Sequence, residues 1–413
     1  MTMRILLLSF YYQPDLCAGS FRATAMVQAL LKKLPVDTHL EIVTTAPNRY
    51  VSYSETVAEG ASSLEQHEQY TIHRIALPTH ESGMLDQSKS FFVFAKEALK
   101  LTKQHQYQLI IATSSRLMTA CLAAYIASKK RTPLYLDIRD IFVDTIKDVI
   151  SAKSLMWLAP VLSWVEKKTV NTASKVNLVS EGFLPYFKKR YPTQQYACFT
   201  NGIDQEFIDA SEAPIVQTSN PSDTEVSILY AGNIGEGQGL SHILPALANA
   251  LKGRARFTVI GDGGRHKQLK LALEQQQCTN VELLPPMNRA RLIEAYLKAD
   301  ILFLHLNAFP AFEKVLPSKI FEYAVLGKPI LAGVAGYPAS FIQNEVDNAQ
   351  VFEPCNVAAA VRAFERLELQ HYPRSEFLNK FNRSNIMDAM AMDILSLLPK
   401  VVRAPSQLVT GKP

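Results

Sequence analysis

The 413-residue chain contains little cysteine and no cysteine pattern that would bind a metal. Its five cysteines are an odd number, and no two of them form a CxxC pair. Disulfide scaffolds and structural zinc sites need closely spaced cysteines, so neither is expected, and a reducing cytosol is the expected compartment. The nine histidines show no HExxH or HxxxH spacing. We therefore expect neither a resident metal nor an organic cofactor.

Long apolar runs are also absent. No stretch reaches the roughly 18 apolar residues that a membrane span needs. The most apolar window, Leu155 to Val165, is too short and is interrupted by Pro160. The N-terminal residues MTMRILLLSF lack a small-residue cleavage site, so we interpret them as a first strand and not as a signal peptide. The sequence thus predicts no integral membrane segment.

The excess of one charge sign is small. Lys and Arg number 43 against 38 Asp and Glu, a net charge of +5. This charge suits a phosphate-bearing ligand or an anionic membrane surface, but it does not indicate nucleic acid as a partner. Hydrophobic residues make up 48% and charged residues 20% of the chain, which is an ordinary globular composition.

Short apolar runs alternate with helical stretches, and the pattern occurs twice. In the first half we predict strands at Arg4–Phe10, Leu40–Thr45, Tyr70–Leu77, Leu109–Thr113, Leu134–Ile138 and Val176–Val179. In the second half we predict them from Val226 onward and at Arg256–Gly261, Val281–Leu284, Ile301–Leu306, Pro329–Gly333 and Gln350–Phe352. Near-continuous apolar strands separated by helices are typical of parallel sheets covered on both faces. The predicted fold class is α/β, with two Rossmann-like, doubly wound parallel-sheet domains facing a cleft.

A polar segment without periodicity, Ile208 to Ser227, is the predicted interdomain linker. It sets the predicted domains at residues 1–215 and 216–374. A helix over 375–400 is expected to pack back toward the first domain, and 401–413 form a tail. Because ligands of open parallel sheets bind beyond the carboxyl ends of the strands, the loops there should carry the chemistry.

The most informative motif is KVLPSKIFEYAVLGKP, residues 314 to 329. Pro317 fits the first turn of a helix, where Ser318 and Lys319 would meet unpaired backbone N–H groups and the positive end of the helix dipole. That combination predicts an anion site. Glu322 lies one turn further on the same face, where its carboxylate could accept hydrogen bonds from both hydroxyls of a ribose. The alternative is an ordinary capped helix with an internal Lys–Glu pair.

Three glycine-containing segments follow predicted strands. They are GNIGEGQG from Gly232, IGDGG around Gly261, and the Ala18-Gly19 pair after the first strand. Glycine lets the backbone approach a phosphate closely. Their spacing is not the dinucleotide fingerprint, so an NAD site is not indicated. Ordinary glycine turns are the alternative. Asn201 to Asp204 (NGID) reads as a structural turn, and His305 reads as a buried core residue with its hydrogen bonds satisfied.

The segment FEYAVLGKPIL resembles the nucleotide-sugar site of retaining GT-B glycosyltransferases of family 4. Their motif has two glutamates eight residues apart; Glu322 matches the second, while Lys314 stands at the place of the first. The version PSKIFEY resembles a subgroup that transfers amino or deoxy sugars in the assembly of bacterial surface polysaccharides such as O-antigen. The resemblance implies donor contacts by the following residues: Gly19, Gly232, Asn233, Gly261, Lys314, Ser318, Lys319 and Glu322.

Two departures and one match refine this resemblance. Asn233 and Gln238 stand where common members have Arg and Lys, so two diphosphate cations are missing. Arg139 and Asp140, in the run DIRD, match an Arg-Asp pair of the subgroup where other members have a histidine. The resemblance therefore implies catalytic roles for Arg139, Asp140 and Lys319, against the alternative of a structural ion pair.

The implied activity is a metal-independent hexosyltransferase, since the sequence contains no Asp-x-Asp. It would move a sugar from a nucleotide diphosphate-sugar, UDP-linked, to a glycan or lipid-linked acceptor with retention of configuration. Two alternatives stay open: a nucleotide-sugar epimerase or phosphorylase on the same scaffold, and a non-catalytic assembly partner.

The segment Ser154 to Lys175 places Trp157, Leu158, Val161, Leu162 and Val165 on one helical face, followed by Lys167 and Lys168. Such a stripe suits an interfacial helix at an anionic membrane. The alternative is a helix whose stripe simply faces the sheet. The expected location is cytoplasmic, with peripheral attachment to the inner face of the membrane.

Overall fold

The computed structural model describes residues 3–15, 17–47, 62–78, 84–114, 117–141, 159–212 and 225–399. Two separate sheets organise these residues, one in each half of the chain. The predictions that fall on residues 142–158, on most of the linker (213–224) and on the tail from residue 400 lie outside this part of the chain. Trp157 and Leu158 belong to that group.

The N-terminal sheet has eight strands in the order β3-β4-β2-β1-β5-β6-β7-β8. They are Met3–Ser9 (β1), Thr38–Thr45 (β2), Ser63–Gln66 (β3), Tyr70–Ile75 (β4), Leu109–Ser114 (β5), Leu134–Ile138 (β6), Lys175–Leu178 (β7) and Tyr196–Ala197 (β8). All neighbours pair in parallel except β3 and β4, which are antiparallel. In register, Ile5 of β1 lies between Leu40 and Leu109.

The C-terminal sheet has six parallel strands in the order β11-β10-β9-β12-β13-β14. They are Val226–Ala231 (β9), Ala255–Ile260 (β10), Val281–Leu284 (β11), Ile301–His305 (β12), Ile330–Gly333 (β13) and Ala349–Phe352 (β14). The order reverses beside the first strand of each sheet, between β1 and β5 and between β9 and β12. Such a switch point opens a crevice at the carboxyl ends of the strands.

Helices cover both faces of both sheets. They are Ala18–Leu31 (α1), Met84–Lys103 (α2), Leu117–Lys130 (α3), Ala159–Thr172 (α4), Leu184–Arg190 (α5), Gln205–Glu212 (α6), Leu240–Ala250 (α7), His266–Gln275 (α8), Arg289–Lys298 (α9), Lys319–Val325 (α10), Tyr337–Glu345 (α11), Val357–Arg366 (α12), Ser375–Phe381 (α13) and Arg383–Leu395 (α14). The prediction of two doubly wound α/β domains is confirmed.

The continuous apolar run of β1 is explained by this layering. Ile5 and Leu7 pack into the core beneath α1, while Leu6 and Leu8 pack into the core on the opposite face of the sheet. A strand covered on only one face would need a polar residue at every second position. The predicted strands agree with the observed ones to within one or two residues, but the edge strands β3 and β8 were not predicted. β3 has mostly exposed side chains and therefore lacks a buried apolar run.

The chain crosses between the two halves twice, and both crossings refine the predicted boundaries. Phe207 and Ile208 belong to the core of the C-terminal half, although the predicted limit at residue 215 assigns them to the first domain. The reason is that α6 packs against α10.

The second crossing divides the predicted C-terminal helix into two. α13 contributes Phe377 and Phe381 to the C-terminal core, and α14 contributes Met390 and Ile394 to the N-terminal core beside α1. Full burial of each such apolar side chain is worth about 1.5–3 kcal/mol. This packing holds α14 on the first domain.

Candidate active site

A cleft of about 520 Å³ lies where the carboxyl ends of the two sheets face each other. Every residue of the predicted site lines it except Lys314. The N-terminal half supplies Gly19, Arg139 and Asp140. The C-terminal half supplies Gly232, Asn233, Gly261, Ser318, Lys319 and Glu322. Residues more than 300 positions apart in sequence are thus brought to one site by the facing of the two sheets.

The wall of the C-terminal domain is built on glycines at two strand ends. Gly232 follows β9 with φ +141°, and Gly261 follows β10 with φ +150°. A Cβ atom on Gly261 would overlap the carbonyl of Gly232, and a Cβ on Gly232 would overlap Cε and Nζ of Lys319. Lys319 is the first residue of α10, so the helix start delivers its ammonium directly onto the glycine loop.

Glu322 lies one turn along α10 from Lys319 and opens onto the same cleft. The Tyr296 hydroxyl donates to its Oε2 at 3.4 Å. Burial raises the pKa of Glu322, opposed by the positive charges of Lys319 and Arg289. Burial lowers the pKa of Lys319, opposed by Glu322. Each group therefore favours the ionised form of the other, at a place where both can still reach a ligand.

The loop after β9 shows what replaces the two missing cations. The Asn233 amide Nδ2 donates to Oε1 of Gln238 at 2.9 Å, and the backbone N–H of Gly235 donates to the same oxygen at 3.2 Å. These neutral side chains shape the loop and add no charge to the cleft. His305, at the end of β12, is held by the Gln238 carbonyl at 2.7 Å and by the Cys355 N–H at 3.0 Å. Burial lowers the pKa of His305 to about 4, so its interpretation as a satisfied core residue is confirmed.

The wall of the N-terminal domain is formed by the residues that follow β6. The Arg139 guanidinium lies against Gly19, where a Cβ atom would overlap Nη1. Asp140 also lines the cleft, and burial raises its pKa to about 6 despite the opposing charge of Arg139. A carboxyl with a pKa near neutrality can exchange a proton during a reaction.

Asp137, in the same DIRD run, does not line the cleft. It is fully buried and paired with Arg22, whose Nε and Nη2 donate to the two carboxylate oxygens at 2.8 Å each. Nη1 and Nη2 of Arg22 also donate to the carbonyls of Thr200 and Phe199, in the segment where the chain leaves the N-terminal sheet. Sequence reasoning missed Arg22. Its one signal is that it is the only charged residue of α1.

Lys314 is not brought to the cleft. It ends a short 3-10 turn at Phe312–Lys314, and its ammonium lies 5.8 Å from the ring centroid of Tyr186 on α5. Its carbonyl accepts from the Ser180 hydroxyl at 2.6 Å. The side chain is thus directed to the N-terminal domain, which differs from the donor contact predicted for it.

The NGID segment joins the two halves of the chain, and its Asn201 also lines the cleft. Ile203 pairs through its backbone with Phe381 and Arg383 at 2.8 and 3.1 Å. Asp204 forms ion pairs with Arg383 and Arg289. The Arg289 guanidinium lies 4.5 Å from the ring centroid of Phe21 on α1, so this cluster spans the domain junction. The structural interpretation of this turn agrees with these contacts.

Apolar side chains complete the cleft, among them Phe21, Met287, Leu292 and Phe312. They come from three separate segments, and no sequence signal distinguishes them from core residues. Among the described residues, no group of three or more His, Cys, Asp or Glu side chains is arranged to hold a metal ion. Within the same part of the chain, no helix is both long and apolar enough to cross a membrane.

Comparison with known proteins places this site in a family context. Residues 212–384 match the family described as glycosyl transferases group 1. A segment of 123 residues is 28% identical to WcaI of Escherichia coli, a protein named for glycosyl transfer in colanic acid biosynthesis. That segment covers 30% of this chain and 30% of the length of WcaI.

Solved structures resemble the whole chain. WaaG, a glycosyltransferase involved in lipopolysaccharide biosynthesis, has a TM-score of 0.63 at 14% identity, covering 95% of this chain and 97% of WaaG. Anabaena HepE in complex with UDP and glucose has a TM-score of 0.59 at 16% identity, covering 96% and 97% of the two chains. The protein therefore has the two-domain GT-B fold, and residues 212–384 match the glycosyl transferases group 1 family.

Proposed function

We propose that this protein is a retaining glycosyltransferase that moves a sugar from a UDP-linked donor to a glycan or lipid-linked acceptor. The observation that carries the proposal is the placement of Lys319 and Glu322 on the first turn of α10, against Gly232, inside the interdomain cleft. A cation over a glycine loop suits a diphosphate, and a carboxylate one helical turn away suits a ribose diol.

The chemistry is substitution at the anomeric carbon of the donor sugar. The bond from that carbon to the diphosphate oxygen breaks, the acceptor hydroxyl oxygen forms the new bond, and the leaving phosphate takes the acceptor's proton. Negative charge grows on the leaving diphosphate, and preorganised cations stabilise it most effectively in a cleft that excludes water. Lys319 supplies such a charge from one wall, and Arg139 and Asp140 reach the reacting centre from the other.

The family context supports a role in surface-polysaccharide synthesis. The colanic acid protein and WaaG are both named for the assembly of bacterial surface glycans, and HepE was crystallised with UDP and glucose. By the sequence resemblance, an amino or deoxy hexose is the expected sugar and family 4 the expected family. No resident cofactor or metal is part of this proposal.

The first experiment is a binding screen of UDP, GDP, TDP and ADP and their common sugar conjugates by isothermal titration calorimetry. We expect UDP to bind best. The anomeric configuration of the transferred sugar, read by NMR on the product, then tests retention. If the donor alone, without any acceptor, is converted to a nucleotide-sugar with the opposite configuration at one carbon of the sugar ring, the protein would instead be an epimerase. A protein that binds nucleotides without transfer or hydrolysis would be an assembly partner.

The proposal includes attachment to an anionic membrane through α4. Trp164 and Val161 are 61% and 54% exposed on this helix, and the Lys168 ammonium lies 5.6 Å from the Trp164 ring centroid. Leu162 and Val165 pack against the core, so the predicted stripe divides between sheet and solvent. Exposed aromatic and basic side chains on one helix are typical of interfacial binding.

Flotation with anionic phosphatidylglycerol vesicles tests this attachment. The wild-type protein should float at low salt and less at high salt, and Trp164→Ser should float less than the wild type. Leu369→Ser is a matched control, because Leu369 is similarly exposed, at 57%, on the C-terminal half. A wild-type protein that stays at the bottom at both salt concentrations would show that the acceptor is met in solution.

A further inference from the structure

Two basic side chains line the cleft, one from each domain. Among the described residues that line it, Lys319 and Arg139 are the lysine and arginine side chains. Lys319 lies against Gly232 and Arg139 lies against Gly19, and a Cβ atom on either glycine would overlap the cation beside it. The two walls thus have the same construction, with a glycine leaving room for a positive group at the surface of the cleft.

Glu322 and Asp140 lie near these two cations, but neither forms an ion pair with them. In the part of the chain that the structure describes, neither cation donates a hydrogen bond or forms an ion pair, and Nε of Arg139 is buried without a hydrogen-bond partner. Two other buried arginines near the cleft do form ion pairs, Arg22 with Asp137 and Arg383 with Asp204, although Nε and Nη1 of Arg383 also lack a hydrogen-bond partner. A buried donor left without a partner is unfavourable, so such a site is poised to accept an anion.

The glycine loop after β9 presents no cationic side chain to the cleft. The Asn233 amide Nδ2 donates to Oε1 of Gln238, so these two side chains are hydrogen-bonded to each other. A nucleoside placed with its ribose on Glu322 would set its first phosphate near Lys319 on the same helical turn. The second phosphate then lies further from the wall of the C-terminal domain. The cation available for it is Arg139, on the wall of the N-terminal domain.

We propose that Arg139 is the second diphosphate-binding residue, so that the donor is held by Lys319 from the C-terminal domain and by Arg139 from the N-terminal domain. This inference rests on the proposed function and adds a specificity-determining residue to it. If Arg139 binds the second phosphate, the phosphate that carries the sugar connects the two domains. A nucleoside monophosphate engages one wall, whereas a nucleoside diphosphate engages both and draws them together.

The test compares UDP with UMP on the full-length protein and its Arg139→Gln variant by calorimetry. One charge-assisted contact corresponds to about 10- to 100-fold in affinity. We expect Arg139→Gln to weaken UDP by that factor and UMP by less than about threefold. Arg139→Lys keeps the charge but loses the forked geometry, and it should recover part of the UDP affinity. Arg256→Gln, at an exposed arginine on β10, is the matched control and should change neither.

A second readout separates contact from closure. At saturating UDP the wild-type protein should show a smaller radius of gyration by small-angle X-ray scattering, while Arg139→Gln saturated with UDP should not. If Arg139→Gln does not fold, the selective loss of UDP affinity in Arg139→Lys decides the question. Equal losses for UDP and UMP, or unchanged UDP affinity, would overturn the inference while leaving the proposed function intact. A wild-type protein that binds none of the four nucleoside diphosphates would overturn the proposed function and this inference with it.

Discussion

Gly232→Ala probes the donor wall at its most constrained point. The residue has φ +141°, a region that side chains rarely adopt, and its Cβ would fall on Cε and Nζ of Lys319. The backbone strain should cost about 1–3 kcal/mol of the free energy of unfolding. Lys319 can swing away at little cost, but its ammonium then leaves the phosphate position, which corresponds to about 10- to 100-fold in donor affinity.

Three other glycines separate these two effects. Gly253 has φ +76°, and no heavy atom lies within 4 Å of the position that a Cβ would take there, so Gly253→Ala should lose about 1–2 kcal/mol of stability and keep full affinity. Gly19 has no positive φ, but its Cβ would displace Arg139, so Gly19→Ala should keep stability and lose affinity. Gly264 has neither constraint, so Gly264→Ala should behave as the wild type.

Urea unfolding and calorimetric titration with UDP on the four variants give both quantities. We expect UDP affinity to fall in the variants whose new Cβ displaces Lys319 or Arg139, which are Gly232→Ala and Gly19→Ala. We expect the free energy of unfolding to fall in the variants of glycines with positive φ, which are Gly232→Ala and Gly253→Ala. Wild-type UDP affinity in Gly232→Ala, with its stability lowered, would refute the placement of Lys319 on the phosphate. Equal loss of affinity in Gly253→Ala would show that strain alone disturbs the site.

Three further outcomes are expected. Burial raises the pKa of Asp140 to about 6, so a transfer rate that depends on its carboxylate should rise with pH through about 6, and Asp140→Asn should lose this rise. The native state holds this proton more tightly than the unfolded chain, so the contribution of Asp140 to the free energy of unfolding falls between about pH 4 and 6. A transfer rate that does not change over this pH range would exclude a role of the Asp140 carboxylate in transfer. Glu322→Ala should raise the UDP dissociation constant more than Glu322→Gln, which keeps one acceptor oxygen, whereas lost stability with unchanged affinity in both would indicate a structural Lys–Glu pair. Transfer should persist in excess EDTA, and activity restored only by added Mg²⁺ would contradict a mechanism based on side-chain cations.

The sequence predicted the fold well because both sheets are buried on both faces. A run such as that of β1 has no other stable environment, and its length limits it to a strand. The edge strand β3 escaped prediction because its exposed residues carry no such pattern. The division of the C-terminal helix at Asn382 was also invisible, since it depends on the pairing of Ile203 with the chain on either side of it.

The candidate site was predictable wherever a single segment carried the signal. The first turn of α10 holds Ser318, Lys319 and Glu322 within five residues, so local helix geometry alone places them together. Contacts between distant segments could not be predicted in this way. The pair Arg22–Asp137 joins residues 115 positions apart, and Lys314 is turned away by a short 3-10 turn that the spacing of the motif does not reveal.

The central claim is that α10 binds the donor diphosphate in the interdomain cleft. The most direct measurement is the UDP dissociation constant of Lys319→Ala beside that of Lys298→Ala, a lysine at the end of α9 that does not line the cleft. We predict a loss of about 10- to 100-fold for Lys319→Ala and no change for the control. Wild-type affinity in a folded Lys319→Ala protein would contradict the account.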